Sequence, residues 1–208
     1  MDADYTPGGE LLDDDVPWEP WTPEEVAVRL AEVSSRWYVV AGWALDLFRG
    51  RVTRPHEDIE IGVPAESFRN IRSAFSTYEF DVVGSGRRWP LEDSAFNTHF
   101  QTWVRDNESG VYHLDVFRDP HDGDEWVCRR DPTIRLPYDQ VIRFTDGAVP
   151  YMSPEIVLLF KAKATRIKDQ KDFDDVLPLL DQRQVKWLGE NLELLHPGHP
   201  WLAALTAT

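Results

Sequence analysis

The sequence has a single cysteine, Cys128, in 208 residues. No intramolecular disulfide can form, and a thiolate metal cluster is excluded. There is no apolar run of about 18 residues, so no membrane-spanning helix is expected. Basic residues are scarce: 22 Lys and Arg against 37 Asp and Glu give a net charge of −15. Such a chain is repelled by the phosphates of duplex nucleic acid, so general duplex binding is not expected. The acid excess favours cationic small molecules or basic partners, and it also serves solubility. A basic, apolar leader is missing as well, because the chain opens on the acidic MDADYTPGGELLDDD. These absences predict a cytoplasmic protein with no membrane association.

What is present suits one full-size domain, or a core with a smaller appendage. The apolar fraction of 42% is that of a globular protein with a real core. Nine tryptophans are many for this length. Most serve packing, and some could line a pocket for a flat or sugar-like ligand.

Residues 1–20 are rich in Asp, Pro and Gly and read as a flexible arm. Thr22-Pro23-Glu24-Glu25 carries a capping-box pattern with proline at the first helical position, predicting a helix that ends near Ser35. Trp37 to Val40 reads as a strand, and Trp43 to Arg49 as a short helix stopped by Gly50. Asp58-Ile59-Glu60-Ile61-Gly62-Val63 alternates acid and apolar residues, the pattern of a half-buried strand. Pro64 to Phe75 reads as helix, Phe80 to Val83 as strand, and Gly84 to Asn97 as irregular. His99 to Val104 and Val111 to Phe117 form a predicted hairpin, followed by an acidic loop over Asp119 to Asp124. Val141 to Phe144 and Ala148 to Tyr151 form a second hairpin. From Ser153 the pattern is helical, with Ile156, Leu159, Phe160 and Lys163 on one stripe and two further helices down to Leu195. The expected organisation is an arm over 1–20, a core over 21–152, and a helical segment over 153–208. The fold class is α/β (α+β), with a mixed sheet flanked by helices.

Side chains alternate faces along a strand, so Asp58 and Glu60 point the same way while Ile59 and Ile61 point into the core. Asp115 lies on a second predicted strand, with Leu114 and Val116 facing the core and Asp115 facing out. If the two strands are neighbours, three carboxylates converge. Three like charges need a cation, and hard oxygen ligands select Mg²⁺ or Mn²⁺. Such a site suits in-line phosphoryl or nucleotidyl transfer.

Taken with its surroundings, the acidic strand resembles a known family. Ala41-Gly42-Trp43-Ala44-Leu45-Asp46-Leu47-Phe48-Arg49-Gly50, then Thr53-Arg54-Pro55-His56-Glu57-Asp58-Ile59-Glu60-Ile61, is similar to the aminoglycoside and lincosamide nucleotidyltransferases of the polymerase-β-like superfamily. That family shows a strand, a small-residue turn and a short helix, then an acidic pair on the next strand. His113-Leu114-Asp115-Val116 matches its third acid. Ser153 to Lys163 and Lys168 to Phe173 match its helical part. Two positions depart from the pattern. The family usually shows Gly-Gly or Gly-Ser at the turn, where this chain has Ala41-Gly42, and Glu60 stands where Asp is common.

The resemblance implies that Asp58, Glu60 and Asp115 are the catalytic, metal-binding acids, with Asp115 the first choice for general base. Glu92, Asp93 and His99 are alternatives for that role. Gly42, with the helix start that follows it, would hold phosphates. Arg54 and His56 either contact the nucleotide or neutralise nearby acids, and Trp43 either stacks on the base or packs in the core. Lys163 either snorkels to water or reaches the triphosphate. Lys168 and Asp172 are four apart and could pair on a helix surface.

The implied reaction moves a nucleoside monophosphate, AMP from ATP, onto a hydroxyl of a small molecule and releases pyrophosphate. An aminoglycoside-type, cationic acceptor fits the acidic surface. The enzyme would act as a monomer or homodimer. Three alternatives share these residues: an inactive relative that binds nucleotide or protein, a toxin-type transferase acting on protein or tRNA, and a metal-dependent phosphohydrolase.

Overall fold

The computed structural model describes residues 8–13 and 16–206. In chain order, β1 is Glu10–Leu11, α1 Pro23–Arg29, β2 Tyr38–Val39, α2 Ala41–Arg49, β3 Glu60–Pro64, α3 Phe68–Ala74, β4 Tyr78–Gly84, β5 Arg87–Pro90, β6 Gln101–Asp106 and β7 Tyr112–Asp119. Then follow β8 His121–Asp122, β9 Glu125–Val127, β10 Arg135–Pro137, α4 Tyr138–Val141, β11 Ile142–Phe144 and β12 Pro150–Met152. The helices α5 Pro154–Lys161, α6 Ile167–Val176, α7 Gln182–Leu195 and α8 Trp201–Thr206 complete the chain. It forms two compact units. One runs up to Tyr38 and resumes over His56–Pro120; the other comprises Val39–Pro55 and everything from His121 on.

The first unit is built on strands in the order β1-β5-β4-β6-β7-β3. The sheet is mixed, as the sequence predicts: β3 and β7 run parallel, and the other pairs are antiparallel. Ile59, Ile61 and Val63 alternate into the core and are fully buried, and α3 adds Phe68 and Ile71. Helix α1 starts as its capping box requires. Thr22 Oγ1 accepts from the Glu25 amide at 3.2 Å, and Glu25 Oε2 accepts from the Thr22 amide at 2.8 Å. It ends at Arg29 rather than near Ser35, because burial of its stripe stops at Leu30 and Ala31 and Glu32 are exposed.

Part of the expected N-terminal arm, residues 1–7 and 14–15, lies outside the described residues. Within the rest, Glu10 and Leu11 pair with Arg88 and Arg87, and Trp18 bridges Tyr112. Strand β5 arises inside the stretch expected to be irregular. Its Trp89 is 2% exposed and stacks on His99 at 4.9 Å, so one aromatic anchors a segment otherwise lacking alternation.

In the second unit, Val39 pairs in parallel with Tyr151, and β11 and β12 form the predicted hairpin. Helix α2 ends as expected on Gly50, whose φ of 68° is the left-handed conformation that favours glycine. The acidic loop expected after Asp119 contains β8, which pairs with β9, and β10 completes a three-stranded sheet. The helices follow, with Asp181 capping α7 through the Gln184 amide at 2.8 Å. Helix α8, beyond the last predicted helix, docks by stacking Trp201 on Phe173 at 4.2 Å. No helix among the described residues is long and apolar enough to cross a membrane.

Candidate active site

The acidic pair and the third acid lie on adjacent strands. Glu60 opposes Asp115 in the parallel register of β3 and β7, and the Asp115 amide donates to the Ile59 carbonyl at 2.9 Å. Opposed residues of neighbouring strands share a face, so both carboxylates project from one side of the sheet. The strand begins at Glu60 rather than Asp58, leaving Asp58 exposed on the approach two residues earlier. Asp115 differs from its expected setting. It does not face solvent but is 2% exposed, because β7 is an interior strand flanked by β6 and β3.

That burial decides the electrostatics. Desolvation first, then the negative charges of Glu60 and Asp58, hold the Asp115 carboxyl well above the usual carboxylate range. Gln101 pulls in the opposite direction, its Nε2 donating to Asp115 Oδ2 at 2.5 Å. Trp103, directly opposite Asp115 on β6, favours the charged form more weakly and stops short of a hydrogen bond. Its Nε1 and Asp115 Oδ1 are both buried, with no hydrogen-bond partner among the described residues.

An orphaned carboxylate oxygen beside two further carboxylates is a donor set that fits a hard divalent cation. Among the described residues no three His, Cys, Asp or Glu side chains stand close enough together to hold a metal ion by themselves. Mg²⁺ characteristically takes much of its shell from water and substrate phosphate, so an open set suits it.

The other candidates divide between the units. His56, in the first, is half-buried just before the acidic pair. The alternative bases there are engaged elsewhere. Glu92 pairs with Arg72 at 3.0 Å, Asp93 accepts from the Ala95 amide at 2.8 Å, and His99 is buried against Trp89.

In the second unit, Gly42 is buried in the first turn of α2 and Trp43 is half-buried beside it. Ala41, the position that departs from the family pattern, takes a φ of 53°. Arg54 Nη2 stands 3.8 Å from Asp172 Oδ2, the acid-neutralising contact among its expected options. Lys163 is exposed in the turn Ala162–Ala164; α5 ends at Lys161, so the helical stripe does not extend to it. Asp172 is buried, and besides Arg54 it meets Lys161 at 3.0 Å and Arg49 at 3.3 Å.

Sequence reasoning missed two residues. Lys161 bridges Asp169 and Asp172, and Gln101 holds Asp115. Neither carries a local signal, because both contacts depend on how distant segments register.

Comparison with known proteins bears on the family and the fold. A family model described as aminoglycoside-2''-adenylyltransferase matches residues 24–126. No curated protein matches the chain in sequence. Among solved structures, the lincosamide antibiotic adenylyltransferase LnuA in its lincomycin-bound form is 16% identical, covering 82% of this chain and 100% of its own at a TM-score of 0.54. The antibiotic-resistance factor ANT(2'')-Ia is 14% identical, covering 88% of this chain and 89% of its own, also at 0.54. At such identities these likenesses establish the fold, and the family match spans Asp58, Glu60 and Asp115. This chain is a nucleotidyltransferase of the aminoglycoside/lincosamide nucleotidyltransferase-like family.

Proposed function

We propose that the protein transfers AMP from ATP to a hydroxyl of a small, cationic antibiotic of the aminoglycoside type, with Mg²⁺ held by Asp58, Glu60 and Asp115. The observation that carries the reading is the register of Glu60 with Asp115, a buried, repelled carboxylate one oxygen of which has no hydrogen-bond partner among the described residues. Mn²⁺ would serve the same ligands.

Bound there, the cation would neutralise charge developing on the transferred phosphoryl group. Asp58 and Glu60 would hold and orient the cation. Asp115, whose environment disfavours its charged form, is suited to take the proton from the acceptor hydroxyl. The hydroxyl oxygen forms the new bond to the α-phosphorus, the bond from that phosphorus to the bridging oxygen breaks, and pyrophosphate leaves. In the second unit, Gly42, Trp43, Arg54 and Lys163 carry the proposed nucleotide contacts, and His56 adds one in the first.

Lincomycin in the LnuA structure supports a bulky hydroxylated acceptor. The net charge of −15 favours a cationic one. The test is pyrophosphate release from each nucleoside triphosphate with Mg²⁺, across a panel of hydroxylated antibiotics. Release that depends on ATP and on one acceptor is expected, and Asp58→Asn should abolish it in a protein that still folds. Turnover that survives in that variant overturns the metal assignment.

A further inference from the structure

We propose that Gln101 is a positioning residue that fixes one oxygen of Asp115 and reserves the other for the reaction. The inference rests on the reading of Asp115 as a site acid. Gln101 opens β6 opposite Phe117, while Asp115 opposes Trp103, so Gln101 and Asp115 are diagonal neighbours. That diagonal is too long for a short side chain and within reach of a glutamine. The reach is used: Nε2 lies 2.5 Å from Oδ2. Oδ1 is buried and has no partner among the described residues. The carboxylate is therefore held by one edge, with its second oxygen presented in a fixed direction.

The place of Gln101 is itself built in. The residues just before it are pinned by Arg118, which is 5% exposed. Its Nη1 donates to the Phe96 carbonyl at 2.7 Å and its Nη2 to the His99 carbonyl. The Arg118 amide donates to the Phe100 carbonyl at 2.8 Å. Its guanidinium also lies 3.5 Å from the centre of the Phe96 ring. The chain entering β6 is thus clamped on both its backbone and its aromatic side.

The choice of side chain matters too. A lysine or arginine here would form an ion pair and satisfy the carboxylate, as Lys161 does for Asp169 at 2.8 Å. A carboxamide donates one hydrogen bond and brings no charge, so Asp115 keeps its affinity for a cation. Outer partners of this kind orient ligating carboxylates, and losing them weakens metal binding.

The test is Mn²⁺ binding to the full chain, read by electron paramagnetic resonance, alongside steady-state turnover. Gln101→Leu keeps the size and removes the donor, and should weaken Mn²⁺ binding at least about 10-fold. The same variant should lower kcat while leaving the KM for nucleotide near the parent value, a split that general loosening of the fold does not produce. If Gln101→Leu does not fold, Gln101→Met replaces it. It keeps the length without a donor or a charge and should weaken binding as much. Unchanged Mn²⁺ affinity in a folded variant overturns the inference while leaving the metal assignment intact, provided Asp58→Asn loses binding. A parent protein that binds no Mn²⁺ overturns both.

Discussion

Two groups of buried acids in this protein are treated in opposite ways. In the first unit, Asp115 is 2% exposed and faces two further carboxylates, with one glutamine as its hydrogen-bond donor. In the second, Asp169 and Asp172 are 1% and 3% exposed and are wrapped in cations. Lys161 reaches both, Arg166 Nε binds Asp169 at 2.7 Å, and Arg49 binds Asp172 and also Asp46 at 2.8 Å. Burial is the same, so burial does not mark function. What differs is the charge of the neighbours. A compensated cluster holds helices together, whereas an uncompensated one retains affinity for a cation it does not itself contain.

The largest expected effect tests the uncompensated side. Asp115→Asn should lower kcat by about 10²- to 10⁴-fold, the usual range for losing a general base. It should also raise the stability of the metal-free protein, because a buried, repelled charge is replaced by a neutral isostere. The sign with pH follows from the raised value in the folded state. The folded protein holds this proton more tightly than the unfolded chain, whose ordinary value is 3.8. Its contribution is complete below 3.8 and is lost as pH rises through the folded value. Denaturation of metal-free protein across a pH series should show that decline in the parent and a flatter profile in Asp115→Asn. A variant less stable than the parent at every pH would make Asp115 a structural acid like the others.

The compensated side should fail in the opposite sense. Lys161→Met leaves Asp169 and Asp172 short of a shared partner, and breaking a buried pair costs about 3 kcal/mol. Desolvation acts to raise the Asp169 carboxyl, but hydrogen bonds from Arg166 and Lys161 prevail and hold it below the usual range. Stability from this group is therefore present above its ordinary 3.8 and is lost as pH falls. Urea denaturation should show the parent weakening on acidification and Lys161→Met starting lower with a shallower slope. If Lys161→Met is as stable as the parent, the two clusters do not differ in the way proposed.

The same contrast explains what the sequence could reveal. Asp58 and Glu60 were legible because acid and apolar residues alternate with the period of a strand, and Asp115 because Leu114 and Val116 flank it. The capping box at Thr22 and the helix stop at Gly50 are likewise local chemistry. Everything that distinguishes the two acid clusters is non-local. The register of β3 against β7 sets Glu60 beside Asp115, and the β6 register brings Gln101 to Oδ2. Lys161 was overlooked in favour of Lys163 because a helical stripe was extended past the residue where α5 ends. The sheet of β8, β9 and β10 was missed because two- and three-residue strands are too short for periodicity to register.

The smallest expected effect concerns a backbone cost at a candidate site of the second unit. Sequence reasoning placed the phosphate-holding glycine at the start of α2, at Gly42. The structure puts the left-handed residue one position earlier, at Ala41 with a φ of 53°. An L-residue there crowds its Cβ against the carbonyl, at roughly 1–2 kcal/mol, and such strain collects at functional turns. Ala41→Gly removes the crowding but adds freedom to the unfolded chain, which offsets part of the gain. The net should be a stabilisation of about 1 kcal/mol or less, seen as a rise of roughly 2–4 °C in Tm for a chain of this size. Because glycine also lets the backbone approach a phosphate, the KM for nucleotide should fall in the same variant. A Tm that falls instead would mean that the left-handed turn costs nothing here, and that the alanine methyl contributes packing that glycine cannot replace.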